Sequence, residues 1–202
     1  MISTTRRVNE MNINFAYRTS VLILAGTVGI AAMGVASADG IARGKWVHGE
    51  NGTYSSGQRV YSRTNGVSGS SRYSAYSNES GAGSWSRKKT LIDEQGNAYH
   101  RNTKGFRGPN GTSGYRVKEQ VHNADGSAVQ YKTRQVDGAN GGSFNANSTL
   151  QRTADGEVSG SRTVTAQGAS GKTYQSEMQM VDGKWTGSAT CTDASGATVE
   201  CR

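Results

Sequence analysis

The chain has 202 residues, 28 of them glycine and one proline, and its 23 Lys and Arg against 15 Asp and Glu leave a formal net charge of +8. With only 33% hydrophobic residues it lacks the apolar content for a thick core, and so much glycine and serine excludes a helical repeat.

Residues 1–38 read as a secretory leader. Arg6, Arg7 and Arg18 precede the apolar stretch Val21 to Val35, which ends at Ala36-Ser37-Ala38, a small-x-small cleavage site. Met11 offers a second start with a shorter charged region. An uncleaved anchor is the alternative, but glycine and alanine dilute the run, which is barely long enough to span. Cleavage predicts a mature chain from Asp39, without a membrane span, exported to the periplasm, the cell surface or the extracellular space.

Leu, Ile, Val and Phe supply 17 of the 164 residues after the leader, a fraction that ordinarily signals disorder. The glycines argue otherwise. After a lead-in over 39–56, a repeat region over 57–181 carries Gly66, Gly81, Gly96, Gly111, Gly126, Gly141, Gly156 and Gly171, spaced fifteen residues apart without a slip. Three close Asn-Gly pairs and two close Asp-Gly pairs, the dipeptides best suited to the positive φ of tight hairpins. The period therefore counts turns, and each unit holds one strand of about eleven residues.

The tenth residue after each repeat glycine forms an apolar column: Tyr76, Leu91, Phe106, Val121, Val136, Gln151, Ala166 and Val181, broken only at Gln151. A two-residue turn centred on the glycine pair predicts Tyr76 beside Trp85 and Phe106 beside Tyr115. Strand middles hold Lys, Arg and small polar residues instead, which argues against a lipid-facing barrel.

Alternate turns differ. Gly108-Pro109-Asn110-Gly111, Gly138-Ala139-Asn140-Gly141 and Gly168-Ala169-Ser170-Gly171 share a G-x-x-G form that the turns between them lack. The expected fold is all-β, a repetitive antiparallel meander with one turn type along each edge. A β-solenoid with two strands per thirty-residue coil is the alternative. After Gly171 the phase breaks, which marks 182–202 as a distinct cap. There Cys191 and Cys201, the two cysteines of the chain, flank a turn and are expected to pair in an oxidising compartment.

Charge is uneven along the chain. From Gly57 to Lys118 eleven Lys or Arg face three acids, whereas Glu119 to Arg202 holds seven against nine. Basic and aromatic residues interleave in the first part, and the candidate polyanion-binding set is Arg72, Trp85, Arg87, Lys88, Lys89, Arg101, Lys104, Tyr115, Arg116 and Lys118. Such residues hold phosphate or uronate groups by charge and stack on bases or sugar rings. No catalytic, cofactor or metal constellation appears: His48, His100 and His122 fall at unrelated repeat phases with no recurring carboxylate.

The Gly, Ser, Asn and Gln content on short strand repeats resembles secreted bacterial fibre subunits, curli-like ones among them, in class only; their repeat length and polar pattern are not reproduced. These features predict a non-enzymatic, exported structural or adhesive β-sheet of the cell surface or matrix, self-assembling edge to edge. The alternative is a binding module for anionic polymers such as extracellular DNA or acidic polysaccharide.

Overall fold

The computed structural model describes residues 33–37, 40–49, 52–62 and 66–201. The first 32 residues of the leader, and with them the choice between Met1 and Met11, lie outside the described residues, as does Asn65 of the first Asn-Gly pair.

Thirteen strands succeed one another among these residues. They are β1 (Met33–Ser37), β2 (Gly40–Gly49), β3 (Gly52–Ser62), β4 (Ser68–Ser77), β5 (Gly83–Ile92), β6 (Ala98–Arg107), β7 (Ser113–His122), β8 (Ala128–Asp137), β9 (Ser143–Arg152), β10 (Val158–Gln167), β11 (Thr173–Val181), β12 (Lys184–Thr192) and β13 (Thr198–Val199). They form a single sheet in chain order, and every neighbouring pair is antiparallel. The fold is the fifteen-residue meander. β1 comes from the stretch read as leader, so cleavage after Ala38 would remove it and leave β2 at that edge.

All eight repeat glycines adopt positive φ, from 71° at Gly66 to 96° at Gly156. Seven of these turns, from Gly81 to Gly171, are bonded alike: the Gly111 amide donates to the Gly108 carbonyl at 3.2 Å, and the Gly108 amide donates to Thr112 at 2.6 Å. In these seven turns the two residues before the glycine keep negative φ. Each loop is thus a tight turn followed by a left-handed glycine, the bulged three-residue hairpin and not the two-residue one expected from the Asn-Gly and Asp-Gly pairs. Asn or Asp at the first turn position closes several loops from the side: Asn78 Oδ1 accepts the Ala82 amide at 2.9 Å, and Asp93 Oδ1 accepts that of Asn97 at 2.8 Å. A genuine two-residue turn occurs at Asp182-Gly183, where both φ are positive and Val181 pairs with Lys184.

The bulge changes the register by one residue. Tyr76 pairs with Ser84 while Trp85 pairs with Ala75, and Phe106 pairs with Gly114 while Tyr115 pairs with Gly105. Because side chains alternate with period two, Tyr76 and Trp85 lie on opposite faces, as do Phe106 and Tyr115, contrary to the sequence expectation. The apolar column is divided the same way. Tyr76, Phe106, Val136 and Ala166 line one face near one set of turns, whereas Leu91 and Val121 line the other face near the opposite set.

This is one layer without a core. Among the described residues Val164 alone is a buried apolar side chain, 7% exposed, and its cross-strand partner Ser176 is equally covered. Lateral packing within each face stands in for a second layer. The Tyr73 ring packs on Gly57 and the Trp85 indole on Gly105, where any Cβ would collide with the ring. Successive turns along one edge are also tied together: Asn97 Oδ1 accepts the Ala124 amide at 2.9 Å, and Arg152 donates to the Gly126 carbonyl at 3.0 Å.

Candidate polyanion-binding face

The register sorts the strand residues into two faces of different chemistry. One carries Lys104, Arg116 and Arg134 in a line across β6, β7 and β8. Beside that line runs a second, Arg72, Lys88, Asn102, Lys118, Lys132, Ser148 and Arg162, spanning β4 to β10. Arg43 and Lys45 on β2 and Arg152 on β9 belong to the same face. Among the described residues no Asp or Glu occupies a strand position on it; we call it the basic face.

Its cations are opposed to one another. Arg72 faces Lys88, Lys104 faces Arg116, Arg116 faces Arg134, and Lys118 faces Lys132. Like charges directly across a ladder are destabilising, and the effect registers at Lys132: partial burial first, then the charges of Lys118 and Arg116, hold its amine below the usual lysine range. Arg134 sits over the Phe144 ring at 5.3 Å from its centre, and Arg72 donates to Gln58 at 2.9 Å.

Aromatic residues border the charged lines. A concavity of about 770 Å³ lies between Lys104, Phe106, Arg116, Lys132, Phe144, Arg162 and Trp185. Trp185 reaches from β12 across the sheet to Gly160 on β10, whose missing side chain makes room for the indole. A second concavity of about 440 Å³ opens on this face between Arg43, Lys45, Tyr54, Arg72 and Lys88. Charged walls with adjoining rings suit a linear anion with flat, stackable units.

The opposite face is mixed. Arg59, Arg87, Lys89, Arg101, Arg107 and Lys184 share it with Glu119, Asp137 and Glu177. Lys89 faces Arg101 here as well, but a carboxylate stands beside them: Arg101 pairs with Glu119 at 3.3 Å, and the Tyr99 hydroxyl donates to the same carboxylate at 2.9 Å. That bond, after burial, raises the Tyr99 phenol above its ordinary range.

The ten sequence candidates are therefore divided. Arg72, Lys88, Lys104, Arg116 and Lys118 share the basic face, whereas Trp85, Arg87, Lys89, Arg101 and Tyr115 lie on the other. A continuous run such as Trp85 to Lys89 cannot act as one patch, since neighbours in a strand point oppositely. Lys132, Arg134 and Arg162 join the basic face from the half of the chain that carries net negative charge, because that half places its acids on the other face and in turns. Strand parity was the available signal, and it is readable only once the turn type is known.

The two cysteines are paired as expected: Cys191 and Cys201 are bonded to each other. Among the described residues no group of three or more His, Cys, Asp and Glu could hold a metal ion, and no helix is long and apolar enough to cross a membrane. His100 and His122 meet edge to face on the basic face, 5.9 Å apart. No protein-family model, curated protein or solved structure matches this chain.

Proposed function

We propose that this protein is an exported, non-enzymatic component of the cell surface or extracellular matrix whose basic face holds linear anionic polymers such as extracellular DNA or acidic polysaccharide. One observation carries the reading: Lys and Arg stand directly opposite Lys and Arg on a face with no strand carboxylate. A positive charge kept only for solubility needs no such segregation, and the mixed face shows how the same chain places a carboxylate beside an arginine. A bound polyanion relieves the repulsion and releases the counterions gathered along its backbone. The leader-like N-terminus and the Cys191–Cys201 bridge support an oxidising, exported setting.

The test is titration with a single-stranded DNA oligonucleotide and with heparin over a series of salt concentrations. Affinity is expected to fall steeply with salt and to show little sequence preference. Replacing Lys118, Lys132 and Arg134 together with Gln should reduce the slope of log K against log salt by about two units. The matched triple replacement of Arg87, Lys89 and Arg101 should leave that slope nearly unchanged. Equal losses from both sets, or affinity indifferent to salt, would remove the basic face from the function.

A further inference from the structure

We infer that β12 is a docking edge for a second copy of this chain, the two β12 strands pairing antiparallel about a two-fold axis through Gly187. Among the described residues β13 pairs only with Cys191 and Thr192, where the Cys191–Cys201 bridge also holds the chain end, and no strand pairs with the outer edge of β12 from Lys184 to Thr190. The pair Val181 and Lys184 closes a two-residue hairpin, so Trp185, Gly187 and Ala189 turn their amides and carbonyls outward. This stretch has none of the devices that protect an open edge: no proline, no bulge, and Lys184 at its end as the sole charge.

Its side chains permit that two-fold axis. The Trp185 indole leans away from this edge, toward Gly160 on β10, which leaves the small, exposed Thr186, Gly187, Ser188 and Ala189 along the seam, so two copies of the strand can approach without side-chain collision. Electrostatics favours this end over the other. The strands β11 to β13 carry one acid and one base, Glu177 and Lys184, while β2 carries Arg43 and Lys45. The nearest basic-face cations, the two Arg162 side chains, would be separated by five strand spacings, about 24 Å, well beyond the screening length. A two-fold axis normal to the sheet keeps both basic faces on the same side, which doubles the length of surface offered to a polymer. The inference does not depend on polymer binding.

The experiment is sedimentation velocity of the protein, in its native processing state, across a concentration series. Dimers are expected. Ala189→Pro removes one outward amide, a change an edge strand tolerates within a monomer, and should abolish the dimer while leaving the circular dichroism and the disulfide intact. Ala189→Lys keeps the backbone and should weaken dimerisation at least about tenfold by placing a charge from each subunit on the open edge. A wild-type monomer at every soluble concentration would overturn the inference, as would a dimer indifferent to both substitutions. Filaments would replace the two-fold axis with head-to-tail pairing and overturn it as well. A monomer that still binds heparin would leave the polymer reading standing.

Discussion

Lys118 and Lys132 stand directly opposite each other on β7 and β8, on a face with no strand carboxylate to separate them. Burial and its neighbours lower the pKa of Lys132, so the folded state holds that proton less tightly than the unfolded chain does. The resulting penalty is fully present below the folded pKa and disappears as pH rises toward the ordinary lysine value. Lys132→Gln should therefore stabilise the free protein at neutral pH by about 0.5 kcal/mol while weakening heparin binding. Thermal melts with and without heparin check both signs. A variant less stable than wild type would mean that the lysine stem contributes more packing than its charge costs.

Trp85 covers Gly105, and the contact is tested by a double-mutant cycle. Gly105→Ala should destabilise by about 1 to 2 kcal/mol because the new Cβ displaces the indole. In a Trp85→Ala background the same change should cost little, and alanine's lower unfolded-state entropy favours it there. Additive effects in denaturant titrations would show that the ring does not rest on this glycine.

The turn glycines differ from strand residues in the source of their cost. Gly126 has φ of 85° with nothing within 4 Å of an added Cβ, so any penalty there is conformational and not steric crowding. Gly126→Val should cost on the order of 1 to 3 kcal/mol, against a few tenths or a gain for Ser161→Val on an exposed strand site. Equal tolerance in urea melts would argue against the left-handed bulge.

At the C-terminus, Cys191 pairs with Val199 across β12 and β13 and is bridged to Cys201. Cys191→Ser should cost about 2 to 3 kcal/mol. The loss should be local: faster hydrogen exchange at Cys191 and Thr192, with the β4 to β8 amides unchanged. Uniform loss of protection would instead make the staple a keystone of the whole sheet.

Acid should loosen the turns first. Side-chain hydrogen bonds hold four aspartates below the usual carboxylate range: Asn97 for Asp93, Ser127 for Asp125, Thr153 for Asp155 and Ser195 for Asp193. A depressed folded pKa means stability that is present above the unfolded value and lost as pH falls through the folded one, below about pH 4. Asp125→Asn combined with Asp193→Asn keeps a side-chain acceptor in each turn but removes its titration, so the acid-unfolding curve should become shallower. An unchanged curve would place the acid sensitivity elsewhere.

The fifteen-residue glycine period was enough to read strand length and turn positions over the repeat region, because positive φ is a local demand that glycine meets whatever surrounds it. The cysteine pair was legible for a similar reason, being two residues flanking one turn. What the period could not reveal was the side of the sheet on which each residue stands. That depended on whether each loop closes with two residues or with three and a bulge, and the Asn-Gly and Asp-Gly pairs permit both. One residue of register separates Tyr76 from Trp85 and Lys88 from Arg87 and Lys89, and it unites Lys104 with Arg134 across the boundary of a basic and a nearly neutral half. Net charge along a chain averages over both faces of every strand. Only the paired ladder, where residues distant in sequence become neighbours on one side, separated the cations from the acids and assembled the basic face.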